Sequence, residues 1–208
     1  MYKLIHFIYE LIGHIFAFFS GMWFTLRDIF NPPQEKTVLF IAHPEDDMLF
    51  FHSFIIKNKP YVVLLTTAGI IRRYLPFCRA MRYYRVRYRA YDMSSRATEN
   101  EEIISRRIHS VLIRGRFEIC ATHNAEGEYG HLMHQCIHKC VRRLWKGKKL
   151  LVPCDKQHIV EYRLSRSQEI EKRMLLQTYY AGEYTTLQKF DTWITHEHLD
   201  SIDNMNAV

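Results

Sequence analysis

Thr37 to Ala42 reads TVLFIA and stops at the polar turn His43-Pro44. A six-residue run this apolar is too short for a core helix and too uniform for a strand with one wet face. It therefore reads as a parallel strand covered on both sides. Tyr61 to Thr66 (YVVLLT) repeats the pattern, and Phe117 to Thr122 (FEICAT) and Lys149 to Val152 (KLLV) supply two further strands. Helical stretches fill the intervals at 47–58, 77–91, 99–113, 131–145 and 165–181. Such alternation predicts an α/β fold, a single Rossmann-like domain with a mostly parallel sheet. The 208 residues suffice for one such domain and not for two. In open sheets of this kind ligands bind where strands end, which directs attention to the turns after Ala42, Thr66 and Thr122.

The first thirty residues differ from everything that follows. Leu4 to Leu26 contains Glu10 as its only formal charge, and its length approaches the ~20 residues of a spanning helix. Ile5, Ile8, Ile12, Ile15, Phe19 and Trp23 recur at helical spacing, while His6, Glu10, Gly13, Ala17 and Gly21 form a polar-to-small stripe. The pattern predicts an apolar N-terminal helix over residues 1–30. A membrane surface engaged through residues 4–26, a protein surface, and a cleaved signal are its three readings, the first leading. Asn31-Pro32-Pro33 breaks the helix, and the main domain is expected over 36–200.

Hydrophobic residues at 48% and charged residues at 25% exclude a disordered chain. The net charge of +7 is unevenly placed: no acid lies between Asp47 and Asp92, whereas Lys57, Lys59, Arg72, Arg73, Arg79, Arg82, Arg85, Arg87 and Arg89 do. That interval suits an anion such as phosphate, a lipid headgroup or nucleic acid, or is simply a solvated helix face. Five cysteines without a CxxC pair argue for reduced thiols and a cytoplasmic location, at the cytoplasmic face of a membrane if the helix engages one. Cys136 and Cys140, on either side of His138, supply too few ligands for a second metal site.

The turn after the first strand, Ala42-His43-Pro44-Glu45-Asp46-Asp47, packs one imidazole and three carboxylates together. Such a cluster repels itself unless a cation sits in it. Zinc suits imidazole and carboxylate donors, with another divalent ion such as iron left open. After the third strand, His123-Asn124-Ala125-Glu126-Gly127-Glu128-Tyr129-Gly130-His131 leads to His134. His131 and His134 share a helix face, so either can ligate while the other meets substrate.

AHPEDD and GHLMH at this separation resemble the motifs of the PIG-L/LmbE-like de-N-acetylases, AHPDDE after the first strand and a distal HxxH, and the resemblance covers roughly residues 36 to 180. Weaker support comes from Thr66-Thr67-Ala68-Gly69 and from a late helix with Lys172, Leu175 and Tyr179. The resemblance implies a zinc-dependent N-deacetylase, an amide hydrolase. Its metal would be held by His43, Asp46 and His134, with Glu45 as general base and His131 steadying the carbonyl oxygen. It also implies an N-acetylhexosamine substrate of the N-acetylglucosamine type. With the basic segment and the apolar helix, this becomes an anionic or lipid-linked amino-sugar glycoconjugate. Arg79, Arg82, Asn124 and Asp47 are the expected substrate contacts. Two positions depart from the family: Glu45 replaces its first Asp and Asp47 its final Glu, exchanges compatible with a re-shaped active site or with a zinc-binding scaffold lacking full activity. A nucleic-acid-binding reading, from Tyr83, Tyr84, Tyr88 and Tyr91 interleaved with Arg82, Arg85, Arg87 and Arg89, leaves the acidic cluster and the histidine pair unexplained and is not favoured.

Overall fold

A computed structural model describes residues 12, 15, 19, 22–66, 71–91, 97–154 and 163–202. The loop Thr67–Gly69 and most of the expected N-terminal helix lie outside the described residues. Ile12, Ile15 and Phe19 are helical, and α1 covers residues 22–30.

The chain continues as β1 (Thr37–Ile41), α2 (Asp46–Phe50), α3 (His52–Asn58), β2 (Tyr61–Leu64), α4 (Ile71–Tyr84), β3 (Tyr88–Ala90) and α5 (Ala97–Leu112). After α5 come β4 (Ile119–Ala121), a four-residue turn α6 (Gly127–Gly130), α7 (Leu132–Leu144) and β5 (Lys149–Pro153). Then follow α8 (Arg166–Tyr179), α9 (Ala181–Leu187), α10 (Asp191–Thr195) and β6 (Leu199–Ile202). The six strands form one sheet in the order β3-β2-β1-β4-β5-β6. All neighbours are parallel except β6, which runs antiparallel to β5. This is the mostly parallel α/β sheet that the strand-helix alternation predicts.

Every residue of β1 is buried because both faces of the sheet are covered. Leu39 and Ile41 join Phe50, Phe77, Leu176 and Trp193 on one face; Val38 and Phe40 join Ile104, Ile108, Ile137 and Val141 on the other. At about 1.5–3 kcal/mol per fully buried large apolar side chain, these two layers dominate the favourable side of folding.

Three expectations need correction. The helix expected over 77–91 starts earlier and ends at Tyr84. Arg85 adopts φ 54, a left-handed stop, and Tyr88–Ala90 becomes a strand beside β2. The helix expected over 47–58 is two helices, separated at Phe51 (φ −130, ψ 13). A sixth strand, LDSI, was not expected.

The foot of α1 is locked to the sheet. Phe24 packs into the core, and Asp28, 2% exposed, accepts from Tyr61 Oη (2.5 Å), Arg27 Nη2 (2.7 Å) and Arg89 Nη1 (3.1 Å). Arg89, from the basic interval, is thus spent inside the fold. Among the described residues no helix is long and apolar enough to cross a membrane.

Candidate metal centre

β1 and β4 are neighbours at the point where strand order reverses, the place at which such sheets bind ligands. His43 and Asp46 follow β1; His123, Glu128, His131 and His134 follow β4. The turn after β1 is held by the Asp46 carboxylate, which accepts from the His43 amide at 2.6 Å and so returns its side chain over the strand end.

His43 Nδ1 and His134 Nε2 face each other at 3.1 Å, and Asp46 Oδ2 lies 3.5 Å from each. A tetrahedral ion with bonds of about 2.0–2.1 Å has ligand-to-ligand edges of about 3.3–3.4 Å. The triangle therefore fits one face of such a site. His134 Nδ1 donates to Glu128 Oε2 at 2.6 Å, which leaves Nε2 as a lone pair aimed at His43. Two ring nitrogens so opposed require a positive centre between them, a shared proton or a shared ion. Donors within 4.8 Å of one another also form the groups His43–His131–His134, His43–Glu45–Asp46 and Asp46–His123–His134. His123 is the least available of these, because its Nε2 accepts the Ala42 amide (3.0 Å) and its Nδ1 donates to Glu128 (3.1 Å).

Although burial pushes Asp46 upward, the surrounding imidazoles of His134, His123 and His43 hold its carboxyl well below the usual range. Glu128 behaves alike: burial opposes its charge, but the His123 and His134 rings bring it down to about 2. A carboxylate behind a ligating histidine fixes its tautomer and raises its basicity. Glu128 reaches this position through a left-handed backbone (φ 56) after Gly127 (φ 72). A Cβ at residue 127 would meet Gln135 Cγ at 2.9 Å, so glycine also lets the loop close onto α7.

His131 sits at the N-cap of α7, its Nδ1 accepting from the Met133 amide at 3.2 Å. Its proton therefore lies on Nε2. Burial first, then the neighbouring His134 and His43 rings, depress its pKa to about 4, so the ring is a neutral donor. Beside it, Tyr129 packs edge-on against His131 and His134, with centroids at 5.7 and 5.4 Å.

Glu45 stands on the opposite rim. Arg73 Nη2 donates to its two oxygens at 3.1 and 3.0 Å, with Glu183 3.8 Å from Arg73 Nε. Burial and the adjacent Asp46 raise the Glu45 pKa, and Arg73 acts against both. A cleft of about 330 Å³ opens beside this pair, walled by Pro44, Pro76, Tyr179 and Tyr180.

Of the other expected site residues, Asp47 is fully buried and reaches the cleft only through Tyr180, whose hydroxyl donates to it at 2.7 Å. Burial raises its pKa well above the ordinary carboxylate range. Asn124 is also buried: it donates to the Pro153 carbonyl (3.2 Å) and accepts from the Glu128 amide (2.8 Å). Arg79 and Arg82 are exposed on α4, and neither lines the cleft. Sequence reasoning singled out no role for Arg73, Glu128, Tyr129 or Tyr180. The signal for Glu128 was an acid between two glycines, six residues before His134.

Sheet order and site position together define a Rossmann-like α/β protein with a candidate metal centre at its switch point. No family model matches the chain. An uncharacterized protein of Acanthamoeba polyphaga mimivirus is 25% identical over 122 residues, 49% of this chain and 54% of that protein. The chain thus spans about half the length of the curated relative it matches. Among solved structures it is similar to the antimicrobial-reagent pseudoaglycone deacetylase Dbv21, with TM-score 0.50 and 12% identity, covering 76% of this chain and 85% of that one. GalB, the 4-carboxy-2-hydroxymuconate hydratase of Pseudomonas putida, gives TM-score 0.52 and 13% identity over 76% and 83%. The zinc-inhibited form of teicoplanin deacetylase Orf2 gives 0.51 and 10% over 73% and 86%. Likenesses of this kind establish the fold; two deacetylases and a hydratase share it, so the chemistry must come from the site.

Proposed function

We propose that this chain is a metal-dependent N-deacetylase acting on an N-acetylated amino sugar that carries an anionic group. The observation that supports it most is the triangle of His43 Nδ1, Asp46 Oδ2 and His134 Nε2, with edges of 3.1, 3.5 and 3.5 Å, flanked by a carboxylate and a neutral imidazole. Those three residues would hold zinc or another divalent ion. When bound, the ion would supply Lewis-acid polarisation of the amide carbonyl and a more acidic water.

The chain's own residues divide the remaining work. Glu45, oriented by Arg73, takes a proton from the attacking water and delivers it to the departing amine. His131, with its proton on Nε2, donates to the oxygen that gains charge in the tetrahedral state. Glu128 keeps His134 in the tautomer whose Nε2 is free. The cleft walled by Tyr179 and Tyr180 takes the sugar, and Arg73, at its edge, is the cation best placed for a phosphate or carboxylate on it.

The test is release of free amine from a panel of N-acetylglucosamine conjugates, neutral and phosphorylated, with an unsaturated carboxylate included as a hydratase substrate. Amine release, fastest from the phosphorylated members, is the expected result. Water addition to the unsaturated acid without amine release would overturn the proposal.

A further inference from the structure

α1 has two opposite faces. Phe24 and Asp28 turn toward the sheet, where the Asp28 carboxylate is bound by Tyr61, Arg27 and Arg89. At about 100° per residue, Met22, Trp23, Leu26, Ile29 and Phe30 fall within an arc of about 120° on the far side. Their exposures run from 46 to 84%, and Ile12 further up the chain is exposed by half. A monomeric protein rarely leaves so many large apolar side chains together in water.

We infer that this arc is a membrane-surface contact, with the helix lying along an anionic phospholipid interface while its opposite face stays bolted to the domain. Three observations select lipid as the occupant. The arc is wider than the narrow seam of a helix pair and carries Trp23 and Phe30, aromatic side chains suited to the headgroup boundary. The bolted face rules out burial of this segment on all sides, so the bilayer covers one side only. The charge beside it is complementary to anionic headgroups: Arg27 and Arg87 keep 22% and 29% of their side chains exposed, whereas Asp28, with which both pair, is 2% exposed. The sequence continues this character upstream, where Leu4 to Leu26 carries a single formal charge. The inference is independent of the reaction proposed above.

The chain holds three tryptophans, and two of them, Trp145 and Trp193, are buried at 4 and 7% exposure, whereas Trp23 is 65% exposed. Trp23 therefore reports on the arc without labelling. The full chain is mixed with vesicles of phosphatidylcholine alone or with added phosphatidylserine, and flotation is measured together with quenching by lipids brominated near the headgroup or near the chain end. Expected are flotation with phosphatidylserine vesicles that weakens with salt, and Trp23 quenching stronger from the shallow bromines. The exposed double substitution Trp23→Ser with Phe30→Ser should leave circular dichroism unchanged and weaken flotation by about tenfold or more. Absence of flotation at every composition would overturn the inference. So would equal binding to neutral vesicles, stronger quenching from the deep bromines, or a dimer in solution that Phe30→Ser converts to monomer.

Discussion

Arg73 and Glu45 form an ion pair across the rim of the candidate metal centre, one guanidinium nitrogen reaching both carboxylate oxygens at 3.1 and 3.0 Å. Replacing the cation should release Glu45 from its orientation and raise its pKa further, since burial and Asp46 already push it up. Arg73→Met is expected to lower kcat by roughly tenfold to a hundredfold, the cost of a catalytic group displaced by about 1 Å. Arg73→Lys should recover part of that loss. Steady-state amine release by the three proteins checks it, and equal kcat values would remove Arg73 from the account.

Glu128 accepts from both His123 and His134, at 3.1 and 2.6 Å. Glu128→Gln keeps the shape but removes the charge that orders the two rings. Metal affinity should fall about 10- to 100-fold, the usual loss when the group behind a histidine ligand is altered. Competition with a fluorescent zinc chelator gives the number.

His131 has a structural and a chemical role that one substitution can separate. Its Nδ1 caps α7 through the Met133 amide. His131→Asn retains a good cap and loses the ring donor. Thermal stability should stay close to wild type while kcat drops by about 10²–10³, the scale of losing one oxyanion donor. A fall in melting temperature that matches the loss of activity would argue for capping alone.

Lys172 is wholly buried, donating to Glu197 Oε2 (3.1 Å) and the Trp193 carbonyl (2.9 Å). Glu197 Oε1 in turn accepts the Ser53 amide at 2.6 Å, tying β6's approach to the start of α3. Glu197→Gln leaves a buried cation without its counter-charge and should cost about 3–5 kcal/mol in denaturant unfolding. Adding Lys172→Met should restore much of it.

His52 offers a pH-dependent check on the fold. Burial is the first cause that lowers its pKa, with Lys172 adding to it against the opposing pull of Glu197. The folded state therefore binds its proton less readily than the unfolded chain, whose His52 titrates near the ordinary value of about 6.5. Its contribution to stability is complete above that pH and is lost as pH falls toward the lower folded pKa. His52→Gln should flatten the unfolding curve between those two values, measured by urea titration at successive pH.

Much of this was legible in the chain because local pattern and global position agree. TVLFIA and YVVLLT carry no charged residue and no polar–apolar alternation, which suits a strand buried on both faces. AHPEDD and GHLMH follow β1 and β4, so two motifs about ninety residues apart come to one sheet end once the strand order is known. What escaped depends on distant partners. Arg89 reads as a surface charge until Asp28, 61 residues earlier, is placed against it. β3 hides because Tyr-Arg-Ala has no helix-excluding residue, and the left-handed Arg85 that ends α4 has no glycine to announce it. α4 starts at Ile71 instead of 77 and so includes Arg73, which pairs with Glu45, while Arg79, expected as a substrate contact, is exposed.

The proposed reaction is hydrolysis of an N-acyl amide at the His43–Asp46–His134 centre. Its most direct test is acetate and amine release from an N-acetylated amino-sugar phosphate in isotopically labelled water by the metal-loaded protein and by His134→Ala. Expected are equal amounts of the two products, label in the acetate, and loss of both in His134→Ala. No release by the metal-loaded wild type, or undiminished release by His134→Ala, would contradict it.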